Sequence, residues 1–291
     1  MTSDARLRRP VVVLGAARSG TKMLRDALTA HPRLGAVPYD INYVWKFGNY
    51  AQPHDELTPE QLTERSVRFI RRYLEGWLNK TAAERLVEKT VSNTLRVEFV
   101  AAVLPDCRFV HLLRDGRDVA VSARRMWQQP LDWRRLLAKA RRFPLRAVPQ
   151  YGLSYLGAHL ERRFRRNGAM STWGPRFAGI DEAVRAHSLI EVCALQWRRS
   201  VEATRAALAA LPADTSIAVE YESLVTRPEE ELERIMDFLG LGMTGETQEY
   251  ARRSIHNKAP GRWREELAPD ELAGLMAHIG PLLVELGYGG A

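Results

Sequence analysis

Short apolar runs alternate along the chain with stretches whose apolar residues recur at helical spacing. Val11-Val12-Val13-Leu14 is rich in β-branched residues and closed by Gly15, the pattern of a strand buried on both faces. Met23, Leu24, Ala27 and Leu28 then recur at helical spacing, so strand, glycine-bearing turn and helix make the first half of a βαβ unit. A second strand is predicted over 108–113, entered from Pro105-Asp106 and left at Arg114-Asp115-Gly116, feeding a helix over 119–127. A third spans 216–221 and precedes Pro228 and a helix over 229–239 with glutamates in its first turn. A weaker strand at 85–88 ends at Lys89-Thr90, and longer periodic stretches predict helices over 59–78 and 181–211. Strands alternating with helices give an α/β class: a P-loop-like, mostly parallel sheet flanked by helices.

The segment 130–177 breaks this rhythm. Pro130, Pro144, Pro149, Pro175 and four glycines divide it into short helices joined by loops, a helical insert at about 128–180. With no internal repeat and no long linker, a single domain over 1–291 is expected.

Composition adds exclusions. Of 291 residues, 45% are hydrophobic and 27% charged, which excludes disordered, collagen-like and low-complexity chains. No apolar run approaches the roughly 20 residues that span a bilayer, and the run from Val11 stops at Arg18 with no cleavage-like continuation. Cys107 and Cys193 are too few for a disulfide framework or a cysteine metal site. The expectation is a cytoplasmic protein, with peripheral contact at the inner membrane face left open. The net charge of +8 is concentrated: residues 124–176 hold 13 Lys and Arg against Asp132 and Glu161, leaving the remainder of the chain net acidic. Such a block is either a solvated face or a surface for an anionic partner.

Two groups of residues can carry chemistry. In Gly15-Ala16-Ala17-Arg18-Ser19-Gly20-Thr21-Lys22, a turn between strand and helix, backbone N–H groups and the helix dipole make an anion site, and donors crowd onto it. The nucleoside-triphosphate loop would need Lys at 21 and Ser or Thr at 22; here the order is reversed, which sets a kinase second. In Arg114-Asp115-Gly116-Arg117-Asp118, followed by Ser122, an arginine fork closes a strand and a hydroxyl lies two helical turns on, a pair able to hold a phosphate. Asp115 is read as the helix cap and Asp118 as the partner of Arg117. No metal motif is visible, and His111, inside a strand, reads as a core residue.

Together these groups resemble the sulfotransferases that use 3′-phosphoadenosine 5′-phosphosulfate (PAPS), with closest likeness to a carbohydrate-type bacterial branch. The resemblance implies that Arg18, Ser19, Gly20, Thr21 and Lys22 hold the 5′-phosphosulfate, although Lys22 stands where many members have threonine. It implies that Arg114 and Ser122 hold the 3′-phosphate, that Tyr221 lies near the adenine, and that Lys258, Gly261, Arg262 and Trp263 belong to a late loop over the 3′-phosphate. The family's Arg-Lys-Gly is His256-Asn257-Lys258 here. Asp40, in Pro38-Tyr39-Asp40-Ile41-Asn42, matches the acidic general base of carbohydrate and tyrosylprotein members, with a turn or cap as its bland role. Lys89 corresponds to a lysine near the transferred group, and Glu88 is a reserve base. Val91 occupies the place of the small-phenol branch's histidine, which argues against that branch. Arg18 and Lys89 would stabilise charge on the leaving oxygen, and a carboxylate would take the acceptor proton.

The implied co-substrate is PAPS, the product 3′,5′-ADP, and no metal is expected. The acceptor is a hydroxyl, on a saccharide or glycolipid, since aromatics such as Trp127, Trp133, Tyr151 and Trp173 interleave with the basic insert. A peripheral membrane contact is compatible with that insert; nucleic acid is not the expected partner. The alternatives are an ATP-dependent P-loop phosphotransferase and a non-enzymatic polyanion- or membrane-surface-binding protein.

Overall fold

The computed structural model describes residues 7–128, 173–255 and 260–289. One sheet contains β1 (Val11–Leu14), β2 (Leu34–Ala36), β3 (Arg85–Glu88), β4 (Arg108–Leu113) and β5 (Ser216–Glu220), in the order β2-β3-β1-β4-β5. Each of its pairings is parallel; Val12 of β1 stands opposite Glu88 of β3, and Leu14 opposite His111 of β4. The chain builds β2 and β3 on one side of β1 and β4 and β5 on the other, so the strand ends around β1 are a topological switch point, where open α/β sheets place their ligands.

Twelve helices are described: α1 (Thr21–Leu28), α2 (Asn42–Trp45), α3 (Glu64–Leu78), α4 (Val97–Val103), α5 (Gly116–Trp127), α6 (Ile180–Ala186), α7 (Leu189–Ala209), α8 (Tyr221–Thr226), α9 (Pro228–Leu239), α10 (Gly245–Ser254), α11 (Trp263–Glu266) and α12 (Pro269–Glu285). The two-residue period of the strands sorts the core into layers. Val11 and Val13 pack with Leu24, Leu28, Leu224 and Ile235 on one face. Val12 and Leu14 pack with Trp45, Ile70, Leu74 and Phe99 on the other. A further apolar cluster joins α5, α7 and α12 through Ala120, Trp197, Ile279 and Leu283. Among the described residues, no helix is long and apolar enough to cross a membrane.

The elements differ from the sequence pattern at their edges. The helix expected from 59 starts at Glu64, where Thr63 and Ser66 cap each other reciprocally, and Pro59–Gln61 is a separate short turn. The helix expected over 181–211 is two, broken at His187 and Ser188, where Ser188 and Glu191 form a capping box. The 119–127 helix begins at Gly116, with Asp115 accepting from the Arg117 N–H. Strand β2 was not expected: three residues carry no periodicity, and Gly35 is required because a Cβ there would lie 2.5 Å from Thr81 Oγ1. The basic insert lies outside the described residues between 129 and 172. At its margins Arg124 pairs with Glu271, Arg125 with Glu266 and Arg176 with Asp181, so the cations there meet acids from outside the segment.

Candidate active site

The ends of β3, β1 and β4 are neighbours, and each delivers part of the site. After β1 the chain turns through Gly15 to Gly20 into α1. Arg18 has a φ of 79° and Gly20 a φ of 97°, both in the left-handed region that glycine tolerates and arginine does not favour. At Gly20 a Cβ would lie 2.7 Å from the Tyr221 ring, so the backbone and the ring can approach only because glycine stands there. No side chain caps α1 and its first turn has no acid, which leaves its N-terminal N–H groups and the positive end of its dipole for an anion. Ser19 Oγ is buried with no hydrogen-bond partner among the described residues.

The β1 and β4 ends are joined directly. Arg18 Nε donates to Ser122 Oγ over 3.0 Å, and Arg114 Nη1 donates to the Arg18 carbonyl over 3.1 Å. Arg114 lies 4.1 Å from the centre of the Tyr221 ring and 3.8 Å from Asp118, and its buried Nε has no partner among the described residues. Partial burial first, then the positive charges of Arg114 and Arg125, hold the Arg18 guanidinium below its ordinary range. This is a knot of like charges with unused donors, the electrostatic description of an anion site.

Asp118 does not pair with Arg117 as the sequence reading had it. It accepts from the backbone N–H groups of Gly261, at 2.8 Å, and Trp263, at 3.1 Å, pinning the late loop to α5. Arg117 pairs instead with Asp115 at 2.8 Å and lies over the Trp263 ring at 4.1 Å. Lys258 falls outside the described residues. Arg262 lies 3.4 Å from Glu266, and Lys22 is turned along α1 to Asp26 at 2.6 Å with most of its side chain in solvent.

At the β3 end Lys89 Nζ lies 2.6 Å from Asp40 Oδ1; the lysine is buried and 42% of the aspartate side chain is exposed. Glu88 is fully buried. Its carboxylate accepts from Thr90 Oγ1 (2.5 Å), Asn93 Nδ2 (2.9 Å) and Trp45 Nε1 (3.2 Å), and burial holds it above the usual carboxylate range. Thr90 also accepts from the Ile41 N–H at 3.0 Å, fixing the segment that carries Asp40. Of the two carboxylates named in the sequence, only Asp40 reaches open space.

Beneath them runs a network that no motif announced. Arg96 donates to Asn93 at 2.9 Å and to Asn42 at 2.5 Å; Asn42 donates to Asp55 at 3.0 Å. Asp55 also accepts from Ser92 Oγ at 2.8 Å and the Arg176 N–H at 2.9 Å. Burial raises the Asp55 carboxyl, but Arg96, the Arg176 N–H, Asn42 and Lys46 together bring it below its ordinary value. Burial lowers Arg96 to about 10. Tyr39, next to Asp40 in the chain, belongs to a group of half-buried aromatics: it is edge-on to Trp77 at 5.7 Å, and the Tyr73 hydroxyl lies 3.3 Å from the Tyr39 hydroxyl and 2.8 Å from the Tyr43 hydroxyl. On the donor side the sequence reading also missed Glu222, which accepts from the Asp115 N–H at 3.1 Å and from the Tyr288 hydroxyl at 2.9 Å. Both thiols, Cys107 and Cys193, are buried and pushed up to about 12 by that burial.

The chain is similar to known proteins. The profile of the sulfotransferase family matches residues 10–163 and 159–245. Nodulation protein NoeE of Sinorhizobium fredii (strain NBRC 101917 / NGR234) is 24% identical over 309 residues, covering 95% of this chain. The chain spans less than two thirds of the length of the curated relatives it matches, 65% of NoeE and 17% of an Aquifex aeolicus protein. Among solved structures, sulfotransferase STF9 from Mycobacterium avium superposes with a TM-score of 0.54 at 15% identity, over 97% of this chain and 78% of that one. Mouse sulfotransferase SULT7A1 complexed with PAP gives 0.51 at 13% identity, over 99% and 88%. At these identities the two structures establish a common fold.

Proposed function

The chain belongs to the sulfotransferase family, and from that premise we propose that it moves a sulfuryl group from PAPS to a hydroxyl of a saccharide or glycolipid. The observation that carries this reading is the junction of the two phosphate-binding turns, where Arg18 donates to Ser122 and Arg114 donates to the Arg18 carbonyl. Ser19 Oγ and Arg114 Nε, buried and unpartnered, fit the oxygens of two phosphates, and the close approach at Gly20 leaves the Tyr221 ring beside them. Bound there, PAPS supplies the sulfuryl group and a bisphosphate leaving group.

The residues divide the work. Ser19, Thr21 and the α1 N–H groups hold the 5′ side, and Arg114 with Ser122 the 3′ side. Arg18 and Lys89 meet the negative charge that grows on the leaving oxygen; a donor so placed is worth about 2.7–4 kcal/mol. Asp40 accepts the proton of the acceptor hydroxyl while that oxygen bonds to sulfur and the sulfur–oxygen bond to the phosphate breaks. Glu88, held inside, fixes Thr90 and through it the Asp40 segment.

The acceptor class rests on the aromatic strip beside Asp40. Half-buried ring faces edged with hydroxyls suit a ligand with both apolar faces and hydroxyl groups.

Thermal shift tests the donor reading. 3′,5′-ADP is expected to stabilise the protein more than ATP with Mg²⁺, and stabilisation by ATP alone would replace this reading with a phosphotransferase. A screen with labelled PAPS against polysaccharides, glycolipids and phenols tests the acceptor; sulfation of phenols only would remove the saccharide.

A further inference from the structure

Outside the donor and acceptor walls, three helices bring two imidazoles and a carboxylate together. His187 follows the last residue of α6, Glu191 lies in the first turn of α7, and His278 lies within α12. One ligand atom from each lies within 4.8 Å of the others. His278 Nε2 is 3.4 Å from a Glu191 carboxylate oxygen, Oε1, and zinc–ligand bonds of roughly 2.0–2.2 Å in a tetrahedron put neighbouring ligand atoms about 3.4 Å apart. The two imidazole rings meet edge to face with centroids 4.8 Å apart.

Glu191 is held in a way that leaves this oxygen for another partner. Its Oε2 accepts from Ser188 N–H at 2.8 Å and Ser188 Oγ at 2.5 Å. Such outer hydrogen bonds are what orient the ligands of metal centres. Across from Oε1 stands Gly274 of α12, where a Cβ would lie 3.0 Å from that oxygen, so the two helices approach closely at this point. His187 is exposed, which provides an entry path and room for water as the remaining ligand.

We propose that His187, Glu191 and His278 bind one borderline divalent cation, Zn²⁺ being the best fit, and that the ion fastens α12 to α7. Two imidazoles and a carboxylate are a zinc donor set, whereas Ca²⁺ seeks six to eight oxygens and Mg²⁺ an octahedron of oxygens. The positive end of the α7 dipole opposes a cation, and the Glu191 charge offsets it. The role follows from what α12 touches. Near its start Glu271 pairs with Arg124 at 2.7 Å, and just past its end Tyr288 reaches Glu222 and the Arg117 side chain. An ion at its middle therefore steadies a helix whose two ends meet the two ends of α5, the helix that follows Arg114. None of the three ligands belongs to the reacting site, so the ion is a fastener rather than a reagent.

The test uses tag-free, full-length protein stripped with a chelator, titrated with Zn²⁺ by calorimetry and with Co²⁺ by visible absorption. Saturable binding at one ion per chain is expected, with a Zn²⁺-dependent rise in melting temperature. His187→Ala and His278→Ala should each weaken binding by at least about 100-fold, since even outer partners of metal ligands are worth about 10–100-fold. The double variant, checked for folding by its metal-free melting curve, should lose the Zn²⁺-dependent rise while keeping the other five of the chain's seven histidines. Binding without fixed stoichiometry, a rise retained in the double variant, or an equal rise with Mg²⁺ would each overturn the proposal.

Discussion

At the ends of β1 and β4, Arg18 and Arg114 converge with a partial share of Asp118 for compensation, and two buried donors stand unused. One strand away, at the end of β3, each charge has an answer: Lys89 meets Asp40, Glu88 takes three donors, and Arg96 reaches Asp55 through Asn42. Among the described residues the first wall leaves Ser19 Oγ and Arg114 Nε open beside two like charges, while the second pairs most of its charges internally and leaves Arg96 Nη1 over. That difference accords with the proposed division of the reaction between the two walls. A bisphosphate can relieve the repulsion between guanidiniums, and an uncharged hydroxyl can approach a wall whose charges are already spent on one another.

Removing Asp40 should break the comparison most visibly. Asp40→Asn is expected to lower turnover by about 10²–10⁴-fold, the usual worth of a positioned base, with 3′,5′-ADP affinity measured by calorimetry nearly unchanged. Asp55→Ala attacks the closed wall from below. It leaves Arg96 and Lys46 buried without their acid, so a stability loss of about 3–5 kcal/mol is expected in urea unfolding. Arg18→Ala should do the reverse of Asp55→Ala. Turnover falls about 10²–10³-fold, yet the ligand-free protein melts no lower than wild type, because a repelling charge has gone. If Arg18→Ala lowered ligand-free stability as Asp55→Ala does, the contrast between the walls would fail.

The smallest effects are in the pH dependence of stability, where two acids of the closed wall have opposite signs. Asp55 is held below its ordinary 3.8, so its contribution is present above that pH and is lost as pH falls through the depressed value. Glu88 is held above its ordinary 4.5 by burial, so the folded chain keeps a proton that the unfolded chain releases, and stability declines as pH rises from 4.5 through the raised value. For one proton neither slope exceeds about 1.4 kcal/mol per pH unit. Unfolding midpoints against pH should show a shallower acid limb in Asp55→Asn and a shallower decline above 4.5 in Glu88→Gln.

Much of this was legible in the chain. Four of the five described strands were legible, β1 most plainly, because a strand covered on both faces needs an uninterrupted apolar run such as Val11-Val12-Val13-Leu14. Strand β2 escaped because Leu34-Gly35-Ala36 is too short to hold a period. The two turns proposed to hold phosphates were legible because each is contiguous and punctuated by glycine. The Asp55 network was not, since Asp55, Arg96 and Arg176 are far apart in sequence and meet only after the sheet has formed. The Asp118 contacts with Gly261 and Trp263 escaped for the same reason, and the nearer Arg117 drew the expectation instead. Ser188-Leu189-Ile190-Glu191 is a legible capping box that went unread, and it divides the helix expected over 181–211.

The left-handed backbone at Arg18 has a consequence for the history of such a chain. Glycine would fit a φ of 79° with less strain, and would also remove one of the repelling guanidiniums. A population of variants selected only for folding and expression should therefore drift to glycine at 18, whereas one selected for turnover should hold arginine. The residue at this single position would record which selection the chain has lived under, because there the interests of the fold and of the chemistry diverge.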